Sequence, residues 1–368
     1  MTEPDATTPE GAADLRAIRR RLAVVVAVAL VLGVVVAVVV VVRSGHQPSA
    51  TTTKAVPVDV SCPTATRCVV VDDLGNAITY ADGTWSAPTR IDANGMNTVS
   101  CSTPAECLAA DDNGAIVHRA GNGRWSAPLL IDAESVGKVS QDGLSSVTVV
   151  SCATPDLCMA GDVLGRVNRV TRRRHTPLVP IEKLAATPFP LEKAVTGLSC
   201  PTTTFCAAVT DRGRALVWSG GRWRAGQTLV SLQEAYTAQA HLRSTLSDVS
   251  CTSPTFCVAV DPTGTAYTYG GSTWSAGTTI DPGAATTGDQ VGVTSVSCAA
   301  RTCVAVDDNG NAVAYDGTSW SAPRPIDPTL GLSTVSCATP TFCVALNDIG
   351  DALLYDGSTW SAPRTIDP

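Results

Sequence analysis

The sequence predicts an all-β fold, a seven-bladed β-propeller of four-stranded antiparallel blades, preceded by one transmembrane α-helix. Three observations lead to this prediction: a long apolar run near the N-terminus, seven cysteine pairs, and the same order of strand and turn patterns around each pair. The chain has 368 residues, of which 44% are hydrophobic. This content is too high for a disordered protein and supplies a sizeable core.

Residues 22–42 form the predicted transmembrane segment. They are 21 consecutive residues drawn only from Val, Ala, Leu and Gly, which matches the roughly 20 residues needed to cross a bilayer as a helix. A cleaved signal peptide has an apolar stretch of only about 7–15 residues. The run is therefore expected to remain in the chain as a signal-anchor.

The charges that flank this segment predict its orientation, because positively charged flanks stay in the cytoplasm. Residues 1–21 are expected to form a short cytoplasmic tail. Residues 43–57, which are small, polar and proline-containing, form a flexible tether. Residues 58–368 then form an extracytoplasmic domain at the plasma membrane. The arginines that precede the segment are Arg16, Arg19, Arg20 and Arg21.

Seven repeats make up residues 58–368. Their first cysteines recur at intervals of 39, 51, 48, 51, 47 and 39 residues, and a period in this range signals a repeat architecture. Six pairs have five residues between the cysteines, and the pair Cys298 and Cys303 has four. A solenoid is the main alternative to a ring. Its end repeats would be atypical caps, whereas the first and seventh repeats here are regular.

Each repeat contains four short strand patterns separated by turn residues. The last repeat shows them in order as TVSC, CVALND, ALLY and WSAPRTID. Asp-Gly and Asn-Gly combinations between strands favour tight turns. The second pattern is a continuous run of small apolar residues, as expected for a strand buried on both faces. Four such strands in one repeat describe a propeller blade.

The turns before two tryptophans carry a family resemblance. Residues 315–320 and 355–360 read Tyr-Asp-Gly, two hydroxyl residues and Trp, which resembles the Asp-box turn of BNR-type propellers. Residues 81–85 (ADGTW) are a shorter version, and His175 replaces the tryptophan in the third repeat. In that family the box fastens the third and fourth strands, so the resemblance implies a fold and no catalytic role. One cysteine pair per blade also resembles membrane-anchored propellers of actinobacteria.

All 14 cysteines belong to the exported domain, and their even number and short spacing are typical of disulfides in an oxidising compartment. Zinc sites usually combine two cysteine pairs with only two to four residues between the cysteines of each pair, so we expect no metal at these pairs. We also expect no cofactor. The expected disulfides are Cys62–Cys68, Cys101–Cys107, Cys152–Cys158, Cys200–Cys206, Cys251–Cys257, Cys298–Cys303 and Cys337–Cys343.

A calcium site is a further alternative, at the aspartates between the second and third strands, since calcium prefers carboxylate ligands. Ordinary turn chemistry explains these aspartates without a metal. They are Asp72, Asp111, Asp162, Asp211, Asp261, Asp307 and Asp348.

A local basic sector is the first predicted binding site. The exported part has 22 basic and 29 acidic residues, so nucleic acid is not an expected partner. Nine of its arginines nevertheless lie in the third and fourth repeats, namely Arg166, Arg169, Arg172, Arg173, Arg174, Arg212, Arg214, Arg222 and Arg224. Together with Trp223, they would suit an anionic glycan, a lipid head group or an acidic protein loop. The residues we select are Arg172, Arg173, Arg174, Arg222 and Arg224.

The long links after the second to fifth repeats form a second candidate surface, because such loops often carry function. One of them contains a predicted short helix over residues 232–242. Within it, Glu234 and Tyr236 resemble the nucleophile and base of sialidases, although no motif supplies the three arginines that those enzymes use. We include both residues among the candidates.

The sequence thus predicts a non-catalytic, membrane-tethered module that binds a protein or an envelope polymer. A sialidase-like or other carbohydrate hydrolase is the main alternative, and it would require a close carboxylate pair in a central pocket. A quinone-cofactor dehydrogenase is a further alternative, because propellers of that group also resemble this one in their tryptophan-lined turns.

Overall fold

The computed structural model describes residues 54–132, 147–171, 174–177, 179–181, 194–231, 246–284 and 292–367. Every regular element within these ranges is a β-strand, and they contain no helix that could span a membrane. Residues 22–42, on which the prediction of an anchor rests, lie outside the described residues. The helix predicted over residues 232–242 also lies outside them.

The strands form seven antiparallel sheets, which confirms the seven blades predicted from the repeats. Each sheet is built from one continuous stretch of chain, and its strands are hydrogen-bonded in sequence order. The first strands are Pro57–Thr64, Met96–Thr103, Val147–Thr154, Val195–Thr202, Asp248–Ser253, Val293–Ala299 and Leu332–Thr339. The second strands are Arg67–Asp72, Glu106–Asp111, Leu157–Asp162, Phe205–Thr210, Phe256–Asp261, Thr302–Asp307 and Phe342–Asn347. The third strands are Asn76–Ala81, Ala115–Arg119, Arg166–Thr171, Arg214–Ser219, Thr265–Tyr269, Asn311–Tyr315 and Asp351–Tyr355.

The fourth strand of each blade is short and broken. In blade 7 the break covers residues 361–363 and includes Pro363, which has no N–H for the ladder. Ser361 repairs the pairing: its Oγ accepts from the N–H of Leu354 at 3.0 Å, and its own N–H donates to the Leu354 carbonyl at 2.8 Å. The outer pieces of the fourth strands are Thr89–Arg90, Leu129–Leu130, Val179–Pro180, Gln227–Thr228, Thr278–Thr279, Arg324–Pro325 and Arg364–Thr365. Paired inner pieces are Thr84–Trp85, Arg174–His175 and Arg222–Trp223.

The first strands of neighbouring blades contact one another all the way round, so they are the innermost strands of a closed ring. One hydrogen bond repeats at all seven junctions: the backbone N–H of the first cysteine donates to the serine Oγ of the preceding blade. The seven bonds measure 2.8–3.0 Å. The bond from Cys62 to Ser336 joins the first blade to the last. The ring therefore closes as predicted, without exchange of a strand between its ends.

The hydrophobic core is divided among the seven junctions between blades. Each cluster combines the facing sides of two neighbouring sheets, as Val260 of blade 5 does with Val296 and Ala305 of blade 6. At the closing junction, Val70 and Ile78 of blade 1 pack with Leu346 of blade 7. The second strands are buried on both faces because each sheet is packed between two others.

All seven predicted disulfides are present, and no cysteine is free. Each joins the first and second strands of its own blade, with Cα atoms 3.9–4.1 Å apart. Cys337 and Cys343 stand directly opposite each other in the ladder. The disulfides therefore fasten the hairpins at one face of the ring.

We name the two faces by their turns. The disulfide face carries the turns between first and second strands and between third and fourth strands, which meet where Asp82 N–H donates to the Thr66 carbonyl at 3.0 Å. The link face carries the turns between second and third strands and the links between blades, which meet where Ile91 N–H donates to the Gly75 carbonyl at 2.9 Å.

Candidate functional site

Of the predicted basic residues that the structure describes, Arg222 and Arg224 lie on blade 4 and Arg174 lies on blade 3. Arg222 and Arg224 are exposed and flank the half-buried Trp223 on the fourth strand. The Nε of Arg224 donates to Ser219 Oγ at 3.3 Å, which holds this side chain along its own hairpin. Arg174 begins the corresponding two-residue strand of blade 3. Four predicted site residues lie outside the described ranges: Arg172, Arg173, Glu234 and Tyr236.

Two other arginines of the basic sector do not face solvent. Arg166 begins the third strand of blade 3, and its guanidinium lies between blades 2 and 3. Its Nη2 donates to Asp132 at 2.8 Å and its Nε to Asp162 at 2.6 Å, and both carboxylates are buried. Arg212 is only 8% exposed. Arg166 and Arg212 therefore do not contribute to an exposed basic surface, and Arg166 instead pairs with two buried carboxylates.

Five of the seven aspartates between second and third strands are buried turn caps. The Oδ1 of Asp307, for example, accepts from the N–H groups of Asn309 at 3.0 Å and Asn311 at 2.6 Å. In blades 4 and 7 the capping position is taken by Thr210 and Asn347 instead of the aspartates that follow them. Among the described residues, no group of three or more His, Cys, Asp or Glu could hold a metal.

Several caps face a second buried aspartate, supplied by the link of the preceding blade. Burial, and after it the hydrogen bond with Asp281, raises the pKa of Asp307 to about 6. At the closing junction, burial and the neighbouring Asp72 raise the pKa of Asp367 to about 6. Blade 7 avoids the repulsion, because Asn347 Nδ2 donates to Asp327 Oδ2 at 2.9 Å. From these shifts we expect the carboxyl pairs to contribute to the pH dependence of stability.

One open site in the described ring begins with an aromatic pair near the disulfide face. In blade 7 the rings of Tyr355 and Trp360 have centroids 5.3 Å apart in a tilted arrangement, which aromatic pairs prefer. Equivalent tyrosine–tryptophan pairs occur in three other blades, with centroids 5.0–5.3 Å apart: Tyr80–Trp85, Tyr269–Trp274 and Tyr315–Trp320.

At three junctions the preceding blade covers the tyrosine of this pair with a phenylalanine. The phenylalanine stands directly before the second cysteine of its blade. The centroids are 5.9 Å apart for Phe205 and Tyr269, 6.3 Å for Phe256 and Tyr315, and 5.9 Å for Phe342 and Tyr80. Each of these junctions is therefore filled by three rings that span two blades.

Blade 6 has Thr302 at the phenylalanine position, so the junction between blades 6 and 7 lacks the third ring. Val304, two residues further along the same strand, is only half-buried, whereas its counterparts Val258 and Val344 are 1% and 0% exposed. A cavity of about 560 Å³ occupies this place. We call it the blade 6/7 groove. It is lined by Thr302 and by apolar residues that include Val304, Ala312, Ala314, Pro325, Cys337, Pro340, Tyr355 and Trp360.

Polar groups from the turns surround the groove. The turn carboxylate of Asp316 accepts from the N–H groups of Thr318 and Ser319, both at 2.8 Å, and these bonds lower its pKa. Asp356 makes the same bonds in blade 7, which lower its pKa to about 2. Gly357 follows with φ of +94°, a conformation that favours glycine. The other polar lining residues are Ser319, Ser321, Arg324, Thr339, Ser358 and Thr359.

Sequence reasoning did not identify the blade 6/7 groove. Its signal is nevertheless present, because the sixth repeat is the one with four residues between its cysteines and it has Thr302 where the fourth, fifth and seventh repeats have phenylalanine. The consequence depends on which strands face each other across a junction. Only the closed ring shows that Thr302 faces the aromatic pair of blade 7.

Solved structures with the same fold support the architecture. "YCF48 from Cyanidioschyzon merolae" has a TM-score of 0.58 at 16% identity, covering 83% of this chain and 96% of that one. "YCF48 bound to D1 peptide" has a TM-score of 0.57 at 14% identity, covering 82% and 94%. The WD40 propeller domain of Doa1 has a TM-score of 0.55 at 11% identity, covering 84% and 91%. No known protein family and no curated protein matches the chain. At these identities the likenesses show that the chain shares the β-propeller fold.

Proposed function

We propose that this chain is a membrane-tethered, extracytoplasmic β-propeller that binds a protein partner and does not catalyse a reaction. The observation that carries the binding role is the blade 6/7 groove. There Tyr355, whose counterparts are covered by a phenylalanine at three other junctions, lines a cavity of about 560 Å³ together with Trp360. Tyrosine and tryptophan are enriched among the residues that dominate binding energy at protein interfaces.

The scaffold supports this role because it holds the groove in one shape. Blades 6 and 7 are joined by the bond from Cys337 N–H to Ser297 Oγ at 2.8 Å, and each has its own disulfide. A partner that docks there would not have to order the two walls first. Preorganisation of this kind raises affinity by lowering the entropic cost of binding.

The structural neighbours favour a protein as the partner. One YCF48 structure is of that protein bound to D1 peptide, and the Doa1 structure is of a WD40 propeller domain. Because these likenesses are at low identity, they support the class of partner and do not indicate its sequence.

The proposed location rests on the sequence of residues 1–57 together with the disulfides. A run of 21 apolar residues behind four arginines is typical of a single-pass anchor with a cytoplasmic N-terminus. Seven disulfides persist in an oxidising compartment. Asp-box-like turns and one cysteine pair per blade agree with the anchored actinobacterial type of propeller, to which we propose that this chain is similar.

Alkaline extraction and protease accessibility test the location. We expect the full chain to stay with membranes at alkaline pH and its propeller to be accessible to protease added to intact cells. Deletion of residues 22–42 should release the chain from the membrane fraction. A full chain that is extracted as readily as the deletion variant would contradict the anchor, and a propeller protected in intact cells would contradict the orientation.

Affinity capture with matched variants tests the binding role. The full chain, Thr302→Phe and Thr302→Val would each be used to capture proteins from an envelope extract. Thr302→Phe fills the groove with the residue used at other junctions, whereas Thr302→Val keeps nearly the same side-chain volume. We expect a protein that the wild type and Thr302→Val retain and Thr302→Phe loses. A partner lost instead from Arg222→Glu/Arg224→Glu would place binding in the basic sector, and no retained protein would contradict the function.

A further inference from the structure

At three junctions of the ring, a phenylalanine side chain packs against the tyrosine of a tyrosine–tryptophan pair. Phe205, Phe256 and Phe342 each place a phenyl ring 5.9–6.3 Å from the tyrosine of the next blade. Phe205 and Phe256 are almost fully buried in these positions. The tyrosine and tryptophan of blade 7 keep the same mutual geometry as those pairs, with centroids 5.3 Å apart. The receiving half of a three-ring cluster is therefore formed at the blade 6/7 junction.

The groove is larger than the side chain it lacks. Its volume of about 560 Å³ lies within the range of roughly 300–1,000 Å³ that is usual for ligand-binding cavities. Thr302 Oγ1 donates within its own turn to the Ala299 carbonyl at 2.9 Å, so its hydroxyl is engaged away from a ligand. Ser358 and Thr359 are exposed at the groove. Their hydroxyls donate to Asp356 at 2.7 and 3.4 Å, which leaves the oxygens to accept from backbone N–H groups of a polypeptide next to the inserted side chain.

The edge of blade 6 favours insertion of a side chain over addition of a strand. Strand addition needs a free row of backbone donors and acceptors at a sheet edge. The outer piece of the fourth strand of blade 6 is only two residues long, Arg324–Pro325, and its proline has no N–H. A peptide would therefore gain little from this edge and most from the aromatic groove.

We propose that the blade 6/7 groove receives a phenylalanine side chain from an extended segment of the partner protein, in the position that the chain's own phenylalanines occupy at three other junctions. The inference rests on the proposed function, because it specifies how the protein partner is held. The phenyl ring would contact Tyr355 and Val304, with the flanking peptide lying along the exposed hydroxyls of the blade 7 turn.

A display library of short random peptides tests this inference. Peptides are selected for binding to the full chain, and those that also bind Thr302→Phe are removed by counter-selection. Selected peptides would then be synthesised and their affinity measured for the wild type, Thr302→Phe and Thr302→Val. Thermal unfolding of each variant checks that it folds, and phenylalanine at this position should not lower stability because other blades accommodate it. A β-1,4-linked N-acetylglucosamine oligomer serves as the saccharide probe, since sugar rings also stack on aromatic side chains.

We expect the selected peptides to share one phenylalanine. Its replacement by alanine should weaken binding about tenfold or more, as should Thr302→Phe, while Thr302→Val changes affinity less than about threefold. Peptides that lack an aromatic anchor, or that bind Thr302→Phe as well as the wild type, would overturn the inference and leave protein binding intact. Binding of the oligosaccharide without any selected peptide would also overturn it. Failure of the proposed function is a different result, namely that no protein is retained in the capture experiment.

Discussion

The backbone N–H of Cys62 donates to Ser336 Oγ at 3.0 Å, which joins the first blade of the ring to the seventh. Many repeat proteins leave two free ends, but here the same bond occurs at every junction, including the one without a chain connection. The serine and cysteine that follow the valine in the first strand therefore have separate tasks. The serine accepts a hydrogen bond from the next blade, and the cysteine forms the disulfide between the first and second strands of its own blade.

Ser336→Ala should weaken ring closure. The change removes the acceptor of the Cys62 N–H. Cys62 is only 7% exposed, and leaving a buried donor unsatisfied costs about 1–3 kcal/mol. Ser61→Ala removes the same bond between blades 1 and 2, where the chain itself connects the blades. We expect faster amide exchange in the first strands of blades 1 and 7 for Ser336→Ala than for Ser61→Ala. Equal protection in both variants would contradict a special role at the closing junction.

Removal of one disulfide should lower stability without opening the ring. The double change Cys337→Ala/Cys343→Ala deletes a link across six positions, which contributes about 2 kcal/mol in the loop-entropy description. Urea unfolding of the variant and the oxidised wild type measures the difference. The comparison is repeated under reducing conditions, where the two proteins should come closer together. An unchanged unfolding midpoint under oxidising conditions would show that this pair contributes nothing to stability.

The free energy of unfolding should fall as pH rises from about 4 to 7. Burial raises the pKa of Asp59, Asp162, Asp248, Asp307 and Asp367 to about 6, above the usual value near 4. Between these values the folded chain binds more protons than the unfolded chain, so their stabilisation is present below pH 4 and is lost as pH rises through 6. Asp356 acts in the opposite sense, but only below about pH 4. Thermal unfolding at a series of pH values measures this, and stability that rises from pH 5 to pH 7.5 would contradict it.

A reciprocal pair of substitutions locates part of this pH effect. Asp307→Asn gives the blade 5/6 junction the arrangement seen in blade 7, where Asn347 donates to Asp327. We expect Asp307→Asn to add roughly 1–2 kcal/mol of stability at pH 8 and almost nothing at pH 4. Asn347→Asp should do the reverse at the blade 6/7 junction. If both variants lose stability equally at the two pH values, the carboxyl pairs are not the cause.

Most of the architecture could be predicted from the sequence because the repeat carries it. Paired cysteines at a period of 39–51 residues, four strand patterns and tight-turn residues all recur, and the structure confirms seven blades and seven disulfides. The broken fourth strand and the serine bonds between blades were not predicted. They depend on pairing between segments, which one repeat examined alone does not reveal.

The candidate site could be predicted only in part because it is a property of two blades together. The exposed positions of Arg222 and Arg224 agree with a local basic surface, whereas Arg166 pairs with carboxylates from two blades. Five of the seven turn aspartates, which look like surface ligands in the sequence, are buried and cap their own turns. Nothing in its own strand distinguishes Thr302. Because it lies at the junction with Tyr355 of the next blade, it leaves a cavity where other junctions have a phenyl ring.

Photo-cross-linking of a selected peptide to the full chain tests the central claim most directly. The peptide would carry a benzophenone in place of its phenylalanine, and the adducts would be mapped by mass spectrometry. We predict adducts on the segments that contain Val304, Tyr355 and Trp360, lost in Thr302→Phe and retained in Thr302→Val. Adducts on the blade 4 segment that contains Arg222 and Arg224, or adducts unaffected by Thr302→Phe, would contradict recognition through the blade 6/7 groove.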